Sequence, residues 1–264
     1  MTDQVPTSTC SPSSVVKDTA TVVIIGRAGS KGFPGKNSQT LLDRPIIDYS
    51  IEVALSAVSV RQIIVSTDCP NLAGAASRYS EVTLVNRPPE LATDTTTVDA
   101  AVRHAVQSAK VDSPIIIILY ANVPIRPDDL LDRAVTKLLE TGADSVQSYA
   151  PVGKYHPYWE SRIDKNSGRV EPFIENTIYR RQDLPPLYIP DGGVIAVTRE
   201  SLFNIDENQP HAFLGHDRRA VINPHGSVID IDEPVDLLIA ESVLRMNQNR
   251  EKKIAIQTEA IPSC

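Results

Sequence analysis

The sequence predicts an α/β fold, a Rossmann-like three-layer sandwich with a mainly parallel sheet. Three observations carry that expectation. Short, wholly apolar runs alternate with segments whose apolar residues recur at three- and four-residue spacing. The runs are apolar throughout rather than at every second position, as strands buried on both faces must be. And 41% of the 264 residues are hydrophobic, enough for a core that helices on both faces of a sheet would enclose.

The elements follow in order. Thr21–Gly26 is an apolar run ending at a glycine and reads as the first strand. Pro45 opens a helical pattern with Ile47, Ile51, Ala54, Leu55 and Val58 on one face. Gln62–Thr67 is a second strand and Val82–Val85 a weaker third. Asp94 is placed to cap a helix that buries Val98, Ala101, Val102, Ala105, Val106 and Ala109. Ile115–Leu119 is a fully apolar fourth strand. Pro127 then suits the first position of a helix, with Asp128 and Asp129 where the helix dipole favours anions. That helix buries Leu131, Ala134, Val135 and Leu138, and Asp144–Tyr149 forms the fifth strand. Residues 150–190 break the rhythm with six prolines, the single tryptophan and four of the eight tyrosines, and read as an inserted arm. Strand signals return at Gly192–Val197 and Ser227–Ile231, before a helix with Val235, Leu238, Ile239, Val243 and Met246 on one face. Residues 1–20 read as a disordered tail, 21–248 as the domain, and 249–264 as a flexible tail.

Composition narrows the function classes. The net charge of −7 argues against a general nucleic-acid binder. Three widely separated cysteines, Cys10, Cys69 and Cys264, form neither a zinc motif nor a disulfide framework. No apolar run is long enough to span a bilayer and no secretory leader is evident, so the expected compartment is the cytoplasm.

In an acidic chain, the loop after the first strand stands out: Arg27-Ala28-Gly29-Ser30-Lys31-Gly32-Phe33-Pro34-Gly35-Lys36-Asn37. Its glycines let the backbone approach a ligand and turn N–H groups inward, while Arg27, Lys31 and Lys36 supply cations. The combination calls for a polyanion, most naturally phosphate. A unit-charge contact at 4 Å is worth roughly 4 kcal/mol at an effective dielectric of 20, before desolvation. This is not a P-loop, because Asn37 follows Lys36, and it lacks the glycine spacing of a dinucleotide loop. The competing reading is a solvated basic turn.

The spacing R-x-G-S-K-G-x-P-x-K-N resembles the nucleotide-binding signature of the acylneuraminate cytidylyltransferase (CMP-sialic acid synthetase) family. The resemblance runs over residues 21–245. Leu42–Ile46 is similar to that family's step into its first helix, Ile64–Asp68 to its V-S-T-D strand end, and Arg87–Asp94 to its R-P-x-x-L-A-x-D loop. Arg181–Pro185 and Asp230-Ile231-Asp232 fall in the same order. The resemblance implies a nucleotide-diphospho-sugar transferase type of fold. It also implies a reaction in which CTP and a 2-keto-3-deoxy sugar acid, sialic or another nonulosonic acid, give a CMP-sugar and pyrophosphate. It implies further that the inserted arm dimerises the chain.

Residue roles follow position by position. Arg27, Lys31 and Lys36 are expected to hold the phosphates, with Gly29, Ser30, Gly32 and Asn37 completing the nucleotide loop. Arg87 matches the arginine the family sets at the cytosine ring. Asp230 and Asp232 match its Mg²⁺ ligands, although Asp232 also suits the N-cap of the last helix. Tyr120, Asn122, Val123 and Arg126 fall in the loop that faces the sugar in the family. Tyr120, Asn122 and Val123 replace the usual Gln, Thr and Ser, so the acceptor need not be N-acetylneuraminate. Arg181 and Gln182 are further sugar-binding candidates, since an arginine fork suits a carboxylate. Two other readings stay open. One is a nucleotidyltransferase for another sugar, which nucleotide preference would distinguish. The other is a degenerate paralogue that binds nucleotide without turnover.

Overall fold

The computed structural model describes residues 17–29, 32–206 and 208–259, with side chains described as far as residue 250. Cys10 and Cys264 lie outside the described residues, as does the predicted N-terminal tail up to residue 16. The end of that tail is already bonded: Asp18 N donates to Val58 O and Thr19 N to Ser59 O. Strand β1 (Ala20–Ile25) follows, then the short ribbon β2 (Thr40–Leu41) and β3 (Arg44–Pro45), and helix α1 (Ile46–Ser56). Next come β4 (Val60–Thr67), α2 (Pro70–Ala76), β5 (Val82–Asn86), α3 (Val98–Ser108), β6 (Ile115–Tyr120) and α4 (Leu130–Thr141). β7 (Ser145–Pro151) leads into an excursion that carries the ribbon β8 (Ser161–Ile163) and β9 (Val170–Pro172). The chain returns in β10 (Tyr188–Thr198), α5 (Arg199–Leu202), β11 (Arg218–Ile222) and α6 (Pro234–Glu259).

Seven strands form one sheet in the order β11-β7-β10-β6-β1-β4-β5. β10 runs antiparallel to both of its neighbours, and every other pairing is parallel. Alternate residues of a strand face opposite sides, so β1 feeds two cores. Val22 and Ile24 pack with Ile117, Leu119, Ile51, Leu72 and Val135. Val23 and Ile25 pack with Ile116, Ile118, Val102 and Val106 on the other side. Each fully buried aliphatic side chain here contributes about 1.5–3 kcal/mol. A third cluster, Leu41, Ile46, Ile125, Ile231 and Ala240, ties the loop after β6 and the start of α6 to β2.

Several expected boundaries move. α3 starts at Val98 with Thr97 in the N-cap position, so Asp94 does not cap it. α4 starts at Leu130 rather than Pro127, with Asp129 as the flanking residue. Ser227–Ile231 is not a strand: Ile229 makes one antiparallel bridge to Ile125. The seventh strand is β11, which the pattern hid because only Val221 of its residues is buried. Of the face expected to bury α6, only Val243 packs inward. Val235, Leu238, Ile239 and Met246 are exposed, while Ala240, Leu237, Val243 and Leu244 turn inward. The predicted flexible tail from 249 is helical as far as Glu259. α2, a short alanine-rich helix with Pro70 in its first turn, was not anticipated.

Candidate nucleotide site

From β1 the chain steps outward to β4 and β5, then crosses to β6 on the other side of β1. That reversal opens a crevice at the carboxyl ends of β1 and β6, where open α/β sheets bind their ligands. A cavity of about 220 Å³ lies there, lined among others by Gly26, Arg27, Lys36, Asn37, Arg87 and Tyr120.

The basic loop is set by close packing at its root. A Cβ on Gly26 would meet Leu72 Cδ2 at 2.5 Å and Ala121 Cβ at 2.9 Å, so only glycine brings the strand end this near to α2 and β6. Asn37 is buried beneath the loop and its Nδ2 donates to Arg27 O at 2.8 Å. Its Oδ1 is buried with no described donor, an acceptor of the kind that folded chains rarely leave unsatisfied. Ala28 N donates to Asp68 Oδ1 at 2.9 Å. Gly29 is exposed with open space around it, and a Cβ on Gly32 would lie 3.9 Å from Asp232 O. Ser30 and Lys31 lie outside the described residues. Both described cations of the loop are paired: Arg27 Nη1 with Asp94 Oδ1 at 2.5 Å, and Lys36 Nζ with Asp232 Oδ1 at 2.5 Å.

The acids arrive by a different route. Ile229 N donates to Ile125 O at 3.2 Å and Ile231 N to Asn122 O at 2.8 Å, which lays residues 229–231 along the loop after β6. Ile231 is fully buried, and extended backbone turns its neighbours Asp230 and Asp232 the other way. Asp230 is half-buried. Burial pushes its carboxyl up to about 6, with the charge of Asp232 adding and Lys36 and Arg126 opposing. Asp232 does not cap α6. Its own N–H and that of Glu233 donate to Asp236 Oδ2, at 3.0 and 2.8 Å, so Asp236 performs the capping role and the Asp232 carboxylate faces Lys36. Among the described residues no cluster of three or more His, Cys, Asp or Glu side chains is placed to hold a metal. A divalent ion here would find two carboxylate oxygen donors and need phosphate or water for the rest, a donor set that fits Mg²⁺.

Other expected residues divide. Arg87 lines the cavity and is largely buried, which pulls its pKa down; it donates through Nη2 to Ser66 O at 2.7 Å. Tyr120 lines the same cavity and its hydroxyl is pushed up by burial, then by Asp230. Arg126 does not face a ligand. It is buried and donates to Gly193 O, Ser50 Oγ, Tyr120 O and Val123 O, a guanidinium that ties three segments together. Burial pulls its pKa down to about 9. Asn122 stands at the wall of the same cavity, and its amide hydrogens go to Asp230 Oδ1 and Ile231 O. Arg181 and Gln182 sit exposed in a single turn of the excursion and do not line the cavity.

Three roles were not foreseen in the sequence, although Asp68 and Asp94 fall in motifs named there. Asp94 holds Arg27, Asp68 holds the loop backbone, and Asp191-Gly192-Gly193 bends β10 toward the acids. Gly192 has φ +74°, and a Cβ there would lie 3.8 Å from Asp230 Oδ2. An Asp-Gly-Gly run inside an apolar strand is the signal that marks such a bend.

Comparison with known proteins points to one family and one fold. Residues 21–188 match the family model described as cytidylyltransferase. The chain is 30% identical over 233 residues to the CMP-N,N'-diacetyllegionaminic acid synthase of Legionella pneumophila, covering 86% of this chain and 96% of that protein. It is 27% identical to the pseudaminic acid cytidylyltransferase of Campylobacter jejuni, over 85% of this chain and 96% of that one. It is 28% identical to the N-acylneuraminate cytidylyltransferase of Escherichia coli over 87% of its own length, but spans only 53% of that longer relative. Among solved structures, a CMP:2-keto-3-deoxy-manno-octonic acid synthetase complexed with CTP superposes with a TM-score of 0.66 at 17% identity, over 87% of this chain and all of the other. A 4-diphosphocytidyl-2C-methyl-D-erythritol synthase from Anaerococcus prevotii gives 0.60 at 12% identity, over 86% and 96%. At those identities the two structures speak to the fold.

Proposed function

This chain belongs to the cytidylyltransferase family, and we propose that it condenses CTP with a nonulosonic acid to give a CMP-sugar and pyrophosphate. The observation that carries the reading is the contact between Lys36 Nζ and Asp232 Oδ1 at 2.5 Å, which brings the basic loop and the acid pair to one place in the crevice.

The chemistry asks for positioning and charge more than for covalent steps. A sugar hydroxyl attacks the α-phosphorus in line; the new P–O bond forms as the bond to pyrophosphate breaks, and the hydroxyl proton passes to water. Negative charge gathers on the leaving pyrophosphate. Arg27, Lys31 and Lys36 would meet that charge, Arg27 and Lys36 exchanging their carboxylate partners for phosphate oxygens. The N–H groups around Gly29, Ser30 and Gly32 would approach the same oxygens. Asn37 would accept through its unpartnered Oδ1 from a donor of the nucleoside, such as a ribose hydroxyl. Arg87 would donate to the cytosine edge. Asp230 and Asp232 would hold Mg²⁺, which when bound lowers the charge of the triphosphate and fixes its orientation.

Tyr120 is the residue we assign to the acceptor, because it lines the cavity next to Asp230. The relatives at comparable identity are named for legionaminic, pseudaminic and acylneuraminic acids, which supports a nine-carbon acid as acceptor. Arg181 and Gln182 do not line this chain's own cavity and would serve an acceptor site from a second copy. The excursion exposes Tyr155, Ile163, Val170 and Phe173, surface that a second copy would cover. We therefore propose a homodimer, checked by light scattering on the eluting protein; a monomer at micromolar concentration would remove this part. No helix among the described residues is long and apolar enough to cross a membrane, and we place the reaction in the cytoplasm, where CTP is made.

The test is pyrophosphate release from CTP and Mg²⁺ with a panel of legionaminic, pseudaminic, N-acetylneuraminic and octulosonic acids. Turnover with one nine-carbon acid, and none when CTP is replaced by ATP, GTP or UTP, is expected. A folded protein that turns over no acid on the panel would refute the assignment.

A further inference from the structure

We infer that Asn122 is a positioning residue for Asp230, its side-chain amide holding that carboxylate in the orientation in which it meets a divalent ion. The inference rests on the reading of Asp230 as an ion ligand. Asn122 is 8% exposed and its amide hydrogens are committed. Nδ2 donates to Asp230 Oδ1 and to Ile231 O, the latter at 3.1 Å. The main chain closes the same clasp, with Ile231 N donating to Asn122 O at 2.8 Å. A free aspartate turns about two side-chain torsions; one oxygen held by a charge-assisted hydrogen bond removes most of that freedom. On the other side, Gly192 sets no side chain against Oδ2, which leaves that oxygen open.

The amide is itself fixed. Arg126 donates to Tyr120 O and Val123 O, on either side of Asn122 along the chain. The order of support therefore runs from the buried guanidinium to the loop, from the loop to the amide, and from the amide to the carboxylate. Partners of this kind behind a metal ligand typically govern affinity by about 10- to 100-fold.

The experiment uses Asn122→Ala and Asn122→Ser, with Mn²⁺ as the probe ion. Free Mn²⁺ is counted by electron paramagnetic resonance in the presence of CTP and without acceptor, so that nothing turns over. CTP binding without metal is measured in parallel. Asn122→Ala is expected to weaken Mn²⁺ binding to the CTP complex by about 10- to 100-fold. Asn122→Ser, which keeps a donor, should lose clearly less. CTP binding without metal should stay within twofold for both. The main-chain bond from Ile231 survives either change, and where the alanine variant does not fold the serine variant carries the comparison against the parent. Mn²⁺ affinity unchanged within twofold in Asn122→Ala would overturn the inference, as would an equal loss of metal-free CTP binding. Asp230→Asn separates the two levels. If Asp230→Asn leaves Mn²⁺ affinity unchanged, the assignment of Asp230 as a ligand fails; if only Asp230→Asn weakens it, the positioning role alone fails.

Discussion

Lys36 and Asp232 meet although 196 positions separate them, and the pair does little for stability. The Asp232 side chain is 63% exposed and that of Lys36 21%, so water screens the attraction and the pair contributes at most about 1 kcal/mol. Lys36→Met should therefore leave the thermal midpoint nearly unchanged while slowing pyrophosphate release by about 10²–10³, the usual cost of losing one preorganised charge contact. Equal losses of stability and rate would assign Lys36 to the fold instead. Asp230 predicts the opposite pattern. Its carboxyl holds a proton more tightly folded, up to about 6, than unfolded, at about 3.9. Proton binding therefore favours the folded state fully below the unfolded value, and that advantage disappears as pH rises through about 6. In the ligand-free protein Asp230→Asn should raise stability at pH 8 by about 1–3 kcal/mol, with the two proteins converging below pH 4, as denaturant titrations at several pH values would report. A destabilised Asn variant at pH 8 would show that Asp230 is structural. The loop's charge and glycine content were plain in the sequence, but its pairing with Asp94 and Asp232 was not, because residue spacing carries no information about contacts across the sheet.

Elements whose side chains are buried on both faces were legible, and those at the edge were not. β6 announces itself because Ile115–Leu119 are all buried. β11 shows two arginines and one buried valine, since an edge strand packs on so little. Ser227–Ile231 imitates a strand through Val228, Ile229 and Ile231, yet Ile229 and Ile231 pack between the loop after β6 and the start of α6, and Val228 packs against the main core cluster that holds Leu130 and Val194. α6 misled in the same way: two apolar stripes compete along it, and the tertiary cluster around Ala240 selects the one that periodicity did not favour. The turn that places β11 is specific. Asp144 Oδ2 accepts from His216 N at 2.8 Å and Asp217 N at 2.9 Å, which holds its carboxyl below the usual range. Gly215 at φ +69° lies against it, and a Cβ there would fall 2.2 Å from Asp144 Cβ. Gly215→Ala should cost about 3 kcal/mol or more, measured by urea unfolding, from backbone strain and overlap together. A loss under about 0.5 kcal/mol would show that the turn rearranges freely.

For the molecule as a whole, the sheet order explains why the two halves of the site are so far apart in the sequence. The chain leaves β1 on one side and returns on the other, so the loop after β1 and the segment before α6 close on the same crevice. The α/β class and the parallel core could be read from alternating strands and helices, since that pattern permits few topologies. The antiparallel course of β10 could not, because it depends on the excursion after β7 that reverses the chain. The internal hydrogen bonds of Arg126 and Asn122 were hidden for a related reason. Both fall in a segment whose pattern matched a ligand-facing loop, and the tertiary structure turns their donors inward. The central claim is that one bound triphosphate joins the basic loop to the acid pair through a shared ion. Its most direct test is a crystal soaked with CTP and Mn²⁺ and examined at the manganese absorption edge. The anomalous peak should lie within coordination distance of both Asp230 and Asp232 and of a phosphate oxygen, with Arg27 and Lys36 turned from their carboxylates to the phosphates. A peak remote from either acid, or CTP seated outside the crevice between β1 and β6, would contradict the account.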